Sequence, residues 1–276
     1  MRTIHTDEIT KCIKEMCMQV NVDLSPDVKD ALLAGKEKEE STIGKQILEQ
    51  LEKNLEIAKE SQIPICQDTG MTVVFLRIGQ EVHIDGDFLE DAVNEGIRQG
   101  YLRKSVVSDP ILRENTKDNT PGVIHYEIVP GDRLEITVAP KGFGSENMSR
   151  VFMLKPADGI EGVKQAVIRA VKDAGPNACP PMVIGVGIGG TFEKCALLAK
   201  KALTRELGSH SEIPYVKDFE IEVLEAINNL GIGPGGLGGR VTAIGLNVET
   251  YPTHIAGLPV AVNICCHVNR HITRVL

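Results

Sequence analysis

The residues best able to do chemistry form one pentapeptide, Cys66-Gln67-Asp68-Thr69-Gly70. A thiol that can ligate a metal once ionised stands beside an amide and a carboxylate. In this reading Cys66 holds a metal cofactor while Gln67 and Asp68 face the substrate. A single Cys after the apolar run Ile63-Pro64-Ile65 is more often an inert buried thiol. Support must come from elsewhere in the chain, and two places offer it. In Asn177-Ala178-Cys179-Pro180-Pro181 a thiol is stiffened by two prolines, which suits a ligand that must not move. Further on, His254 precedes an apolar run that ends in Cys265-Cys266, so these groups could face one pocket from opposite ends of a strand. Cys66, Cys179 and one of Cys265 or Cys266 lie too far apart for a zinc knuckle or a ferredoxin-type run. Three thiolates are one short of closing a four-iron cluster, and the open iron could act as a Lewis acid on a hydroxyl or carboxylate. Zinc held by Cys265, Cys266, His267 and His271 is the competing metal reading, although adjacent cysteines seldom ligate one ion comfortably.

Anion recognition has its own candidates. Leu102-Arg103-Lys104-Ser105 is a cationic patch in which Arg103 could grip a carboxylate bidentately, or simply form a solvated helix end. Lys141-Gly142-Phe143-Gly144-Ser145-Glu146-Asn147 joins a Lys to two glycines and small polar residues, so that backbone N–H groups can approach an anion; it is not a Walker A loop. Gly185-Val186-Gly187-Ile188-Gly189-Gly190 resembles a dinucleotide fingerprint only loosely, and close strand-to-helix packing is the preferred explanation.

These groups must be positioned by regular elements. Residues 1–62 read as a helical subdomain, with Thr6-Asp7-Glu8 and Ser25-Pro26-Asp27 as helix starts. Met71 to Ile78 reads as a strand, Phe88 to Val106 as a helix, and Val123 to Val129 with Leu134 to Pro140 as a hairpin around Pro130-Gly131-Asp132. The polar stretch 108–122 marks an internal boundary. Helices follow over 158–174 and 217–230, a glycine loop over 231–239, and strands over Met182 to Val186 and Val241 to Val248. The expected fold is α+β: a helical N-terminal part followed by a mixed sheet with packed helices.

Composition narrows the class. The chain has 276 residues, seven cysteines and a formal net charge of −8, with a pI near 5.5. An acidic chain without Trp and with 4% aromatic residues is a poor nucleic-acid surface. No stretch is apolar enough to span a bilayer, and no apolar signal segment is seen, so a reducing cytoplasmic location is expected.

Five separated motifs carry a family resemblance. They are Ile65 through Gly70, Arg113 through Pro121, Lys141 through Asn147, Ala178 through Pro181, and Leu258 through His267. Together, in order from about residue 10 to the C-terminus, the chain resembles the α subunit of iron–sulfur-dependent class I fumarate hydratase and its relative L(+)-tartrate dehydratase. The resemblance implies a [4Fe–4S] hydro-lyase with one open iron, its cluster held by Cys66, Cys179 and Cys266. The family keeps the Cys before His267 and has a non-cysteine residue where Cys265 stands. It also implies substrate contacts from Gln67, Arg103, Lys141, Gly142 and Gly144, with Asp68 and His254 handling protons or orienting the groups that do. Phe143 occupies a position that is often Gly in single-chain relatives. Those relatives continue beyond the equivalent of Leu276, so the resemblance further implies an obligate β subunit that supplies the carbon base, in an α2β2 assembly or around an α homodimer. The expected reaction is hydration of fumarate to L-malate; alternatives are dehydration of L(+)-tartrate to oxaloacetate, or a non-catalytic metal-binding structural subunit.

Overall fold

The computed structural model describes residues 2–101 and 103–276; Leu102, the first residue of the expected cationic patch, lies outside them. The chain forms two compact units, the first built from Met1–Ser25, Leu55–Phe143 and Arg270–Leu276, the second from Pro26–Asn54 and Gly144–Asn269. The fold is α+β, as expected. Of the N-terminal helices, α2 (Pro26–Lys38) belongs to the second unit and α3 (Thr42–Ser61) contributes to both, and residues 108–122 belong to the first.

The first unit is a four-stranded mixed sheet of order β10-β5-β2-β4, formed by β2 (Met71–Gly79), β4 (Val123–Val129), β5 (Leu134–Lys141) and β10 (Ile272–Val275). The short strands β1 (Arg2–His5) and β3 (Val82–Asp85) pair in parallel beside it. Helices α1 (Thr6–Val22) and α4 (Leu89–Gly100) place Ile9, Ile13, Met16, Val93 and Ile97 against Val74, Leu76, Leu134, Ile136 and Val138 of the sheet. The two helices approach closely because α4 carries glycines four residues apart. A Cβ on Gly96 would lie 2.8 Å from the Thr10 carbonyl oxygen, and one on Gly100 would lie 2.6 Å from Cys17 Cβ.

Two local expectations fail here. Strands β4 and β5 are not a hairpin, since β2 lies between them, parallel to β4 and antiparallel to β5. The apolar β2 and β5 are the strands that need two neighbours, and the more exposed β4 takes the edge. The connecting turn wraps the end of β2: Gly79 N–H donates to the Arg133 carbonyl (2.8 Å), and a Cβ on Gly79 would sit 2.4 Å from the Gly131 oxygen. Helix α4 stops at Gly100, with Tyr101 already extended (φ −111°, ψ 135°), so Arg103 lies on a loop and not in a last helical turn.

The second unit is a mixed sheet of order β6-β9-β7-β8, from β6 (Arg150–Leu154), β7 (Met182–Gly189), β8 (Ala243–Tyr251) and β9 (Leu258–Cys265). Helices α6 (Gly159–Ala174) and α8 (Pro214–Asn228) bury Val167, Val171, Val223 and Ile227 against Ile184, Val186, Leu246, Val262 and Ile264. Side chains alternate along a strand, so Gly185 and Gly187 point to the other face. There α7 (Phe192–Ala202) lies directly on β7: a Cβ on Gly185 would be 2.1 Å from the Ala199 oxygen, and one on Gly187 2.0 Å from the Cys195 oxygen. The glycine run is therefore a packing surface, as its spacing indicated.

The candidate active site and its relatives

In the first unit the Cys66 turn is latched to the start of the short helix α5 (Phe143–Glu146), which follows β5. Both carboxylate oxygens of half-buried Asp68 accept backbone N–H groups, Oδ1 from Gly70 (2.9 Å) and Oδ2 from Phe143 (2.8 Å). Gly70 has a left-handed backbone (φ 82°), and a Cβ there would lie 2.2 Å from the Gly142 nitrogen. The close approach and the positive φ both require glycine. Gln67 is exposed, and its main-chain carbonyl accepts Nη1 of exposed Arg103 at 2.9 Å. A buried residue, Asn119, completes the frame: its Oδ1 accepts Ser105 N–H (2.9 Å) and its Nδ2 donates to the Gly70 carbonyl (3.2 Å). Asn119, Arg113 and Lys117 all have φ between 64° and 66°, a strained concentration of left-handed non-glycine residues in one loop. Lys141, expected to reach substrate, has its side chain buried at the end of β5, and what meets the Cys66 turn is its backbone with that of Gly142. Gly144 is open, with nothing within 4 Å of where a Cβ would stand.

In the second unit Cys179 follows a 3₁₀ turn over Gly175–Ala178 and has a left-handed backbone (φ 51°) that presents its thiol to solvent. Its carbonyl accepts a hydrogen bond from Nδ1 of His267 at 3.1 Å, which places the Cys266-His267 pair beside the Cys179 loop. Because a carbonyl can only accept, this bond fixes the proton on Nδ1. Burial holds the His267 imidazole below its ordinary pKa, against the opposing pull of that bond. The glycine loop braces Cys179 from behind: Gly235 N–H donates to the Pro180 carbonyl (2.8 Å), and a Cβ on Gly236 would be 2.3 Å from Pro176 Cβ. That loop is fixed in turn by the buried Glu39 carboxylate, which accepts the N–H groups of Glu40, Ser41, Arg240 and Val241 at 2.8–2.9 Å. Burial opposes ionisation of Glu39, but the four bonds outweigh it and its pKa is lowered.

The seven cysteines divide by burial. Cys12, Cys17, Cys195 and Cys265 are buried, Cys66 and Cys266 half-buried, and Cys179 exposed. Burial raises the thiol pKa of Cys12 and Cys195, and pushes that of Cys17 up to about 12. Cys265 is the last residue of β9, paired with Val183, whereas Cys266 has left the strand. Among the described residues no three His, Cys, Asp or Glu side chains gather around a point where one metal ion could sit. His254 is not brought to Cys266: the eight residues of β9 separate them, a span of about 25 Å at 3.3 Å per residue. The expectation that the two ends of that strand face one pocket fails for this reason. His254 instead borders a largely apolar hollow of about 410 Å³ with Ile160, Tyr215, Phe219 and Leu258.

Comparison with known proteins agrees with the motifs. The family model described as fumarate hydratase (Fumerase) matches residues 10–275. A Methanocaldococcus jannaschii protein provisionally named L(+)-tartrate dehydratase subunit alpha is 40% identical over 274 residues, 95% of each chain. The L(+)-tartrate dehydratase subunits alpha of Escherichia coli strains UTI89 and K12 are 33% and 32% identical over 97% of this chain and 90% of theirs. The relatives thus define a class of hydro-lyase chains. Within it, this protein belongs to the fumarate hydratase family. No helix among the described residues is long and apolar enough to cross a membrane.

Proposed function

We propose that the chain is the α subunit of a two-subunit, cytoplasmic iron–sulfur hydro-lyase acting on a four-carbon dicarboxylate. One observation carries the reading: the Asp68 carboxylate, bonded on both oxygens, latches the Cys66-Gln67 turn to the Gly142–Gly144 loop. That places an amide, a carboxylate, backbone N–H groups and an accessible thiol around one turn. Cys66, Cys179 and Cys266 would hold the cluster; they are the three cysteines of the chain that are not buried, and thiolates form most readily where water or charge can stabilise them. When bound, a cluster with three protein thiolates supplies an open iron able to polarise the C–O bond of the departing hydroxyl.

The chain's own residues bind and orient. Arg103 commits one N–H to the Gln67 carbonyl and keeps the rest of its fork for a substrate carboxylate. Gln67 can hydrogen-bond the hydroxyl or carboxylate through its exposed amide, and Gly144, with open space where a Cβ would stand, leaves room for substrate beside the loop. Asp68 orients this frame as an acceptor. In the dehydration direction a proton leaves one carbon and hydroxide leaves its neighbour, so that the carbon–carbon double bond and one water form together. For malate the product is fumarate; for tartrate it is an enol that tautomerises to oxaloacetate. The carbon base is assigned to the β subunit, in keeping with relatives named as alpha subunits.

Fumarate is the substrate that the motif resemblance implies first, and the names of the relatives give L(+)-tartrate equal support. The test is anaerobic turnover by the purified, iron-loaded αβ complex on L-malate, fumarate and L(+)-tartrate, ranked by kcat/KM. Turnover of either diacid supports the hydro-lyase reading and the ratio names the substrate. A fully loaded complex that dehydrates neither overturns it in favour of a structural subunit.

A further inference from the structure

The guanidinium of Arg270 has no part in the reaction as proposed, yet its surroundings give it one. Arg270 is 2% exposed, among the largest fully buried side chains of the chain. Burying a guanidinium is costly unless its donors are matched. Here Nη1 donates to Asn21 Oδ1 and Nη2 to the main-chain carbonyl of Asp68, each at 2.8 Å. Both acceptors are neutral, so these contacts fix position more than they cancel charge. The Asn21 end is anchored in its turn: Nδ2 donates to the Cys17 carbonyl (2.9 Å), and the Asn21 carbonyl accepts the N–H of Ile65 (2.9 Å), the residue before Cys66. One peptide before Asp68, Arg103 holds the Gln67 carbonyl at 2.9 Å. Successive carbonyls are thus gripped by two arginines, one exposed and one buried. Fixing adjacent peptide planes fixes the directions in which the Gln67 and Asp68 side chains leave the backbone.

We infer that Arg270 is a positioning residue: shielded from substrate, it locks the Asp68 peptide so that the carboxylate meets Gly70 N–H, Phe143 N–H and the substrate in one orientation. Gly142 is shaped to this arrangement, since a Cβ there would lie 3.2 Å from Arg270 Nη2 and 3.7 Å from Asp68 Oδ2. A lysine could reach one of the two acceptors, but only a planar fork spans both. The kinetic part of this inference rests on the hydro-lyase reading.

The test uses R270M and R270K in the iron-loaded αβ complex, together with iodoacetamide labelling of the full-length chain read by mass spectrometry. With R270M, kcat is expected to fall about 100-fold, as for a small misplacement of a catalytic group, while KM stays within about threefold. R270K should recover about tenfold of the loss, because one of two contacts returns. In the labelling arm R270M should speed alkylation of Cys66 about fivefold, through local opening of its turn, with Cys179 unchanged. Unaltered kcat in R270M overturns the assignment. So does faster labelling of all seven cysteines with no recovery by lysine, the pattern of a merely structural residue. If wild type turns over no diacid, the hydro-lyase reading fails, and selective labelling of Cys66 still decides whether Arg270 holds the turn.

Discussion

Replacing Asp68 by Asn removes one acceptor from a carboxylate that uses both. In the wild type Oδ1 and Oδ2 accept Gly70 and Phe143 N–H at 2.9 and 2.8 Å. The Asn side chain has one oxygen and one NH₂, so whichever way it rotates, one amide faces a donor and the other keeps only a neutral partner. Hydrogen bonds to charged groups contribute about 1.5–3 kcal/mol and neutral ones about 0.5–1.5. Loss of one and weakening of the other gives about 2–4 kcal/mol. Because Asp68 is half-buried, water partly solvates the freed amide, and we expect about 2 kcal/mol of local stabilisation to disappear. Hydrogen–deuterium exchange reads this directly: amides in segment 66–70 or 142–146 of D68N should exchange about 30-fold faster, with the core of β7 unaffected. Turnover by the loaded complex should fall about 100-fold, as for a lost orienting group. If neither segment changes by more than about twofold in a folded D68N protein, Asp68 is not the latch described here.

Three further outcomes follow from the same structure. Native, iron-free chain treated with iodoacetamide at pH 8 should be modified at Cys66, Cys179 and Cys266 and spared at Cys12, Cys17, Cys195 and Cys265, because burial closes access and holds three of those thiols protonated; labelling of Cys265 in preference to Cys266 would reverse the ligand choice. In G187A the new Cβ would stand 2.0 Å from the Cys195 oxygen, so α7 must lift from β7 at a cost of about 1–3 kcal/mol; an unchanged urea midpoint would show that this contact is not as close as described. The Asp118 carboxyl is held well below its ordinary pKa, first by the Arg98 hydrogen bond and then by Thr120. The folded state therefore binds that proton less readily than the unfolded one, and the stability it contributes is present above about pH 4 and is lost as pH falls below it. D118N should lower stability at pH 7 by about 1 kcal/mol and flatten the acid side of a stability-against-pH curve; equal acid slopes in the two proteins would exclude the linkage.

The sequence alone determined the chemistry available: which thiols, amides and carboxylates exist, and which stand next to one another. It also settled element types where periodicity was strong, as in α6 and β2, and it read the Gly185-Val186-Gly187 run as strand-to-helix packing, which the contacts of α7 bear out. Those features depend on neighbours within a few residues. Pairing did not follow from local signals. Nothing in the turn between β4 and β5 records that β2 enters between them, because strand order is set by which strands most need burial on both edges. The helix read through to Val106 stops at Gly100, where the chain turns extended so that Arg103 reaches Gln67 and Ser105 meets Asn119. His254 and Cys266 looked like companions in sequence and are held apart by the length of β9. Asn119 and Arg270 were missed because each acts on a carbonyl far away in the chain, 49 and 202 residues distant. Such a partner leaves no trace in local spacing; only the folded chain, by excluding water from a guanidinium and aiming it at one peptide, decides it.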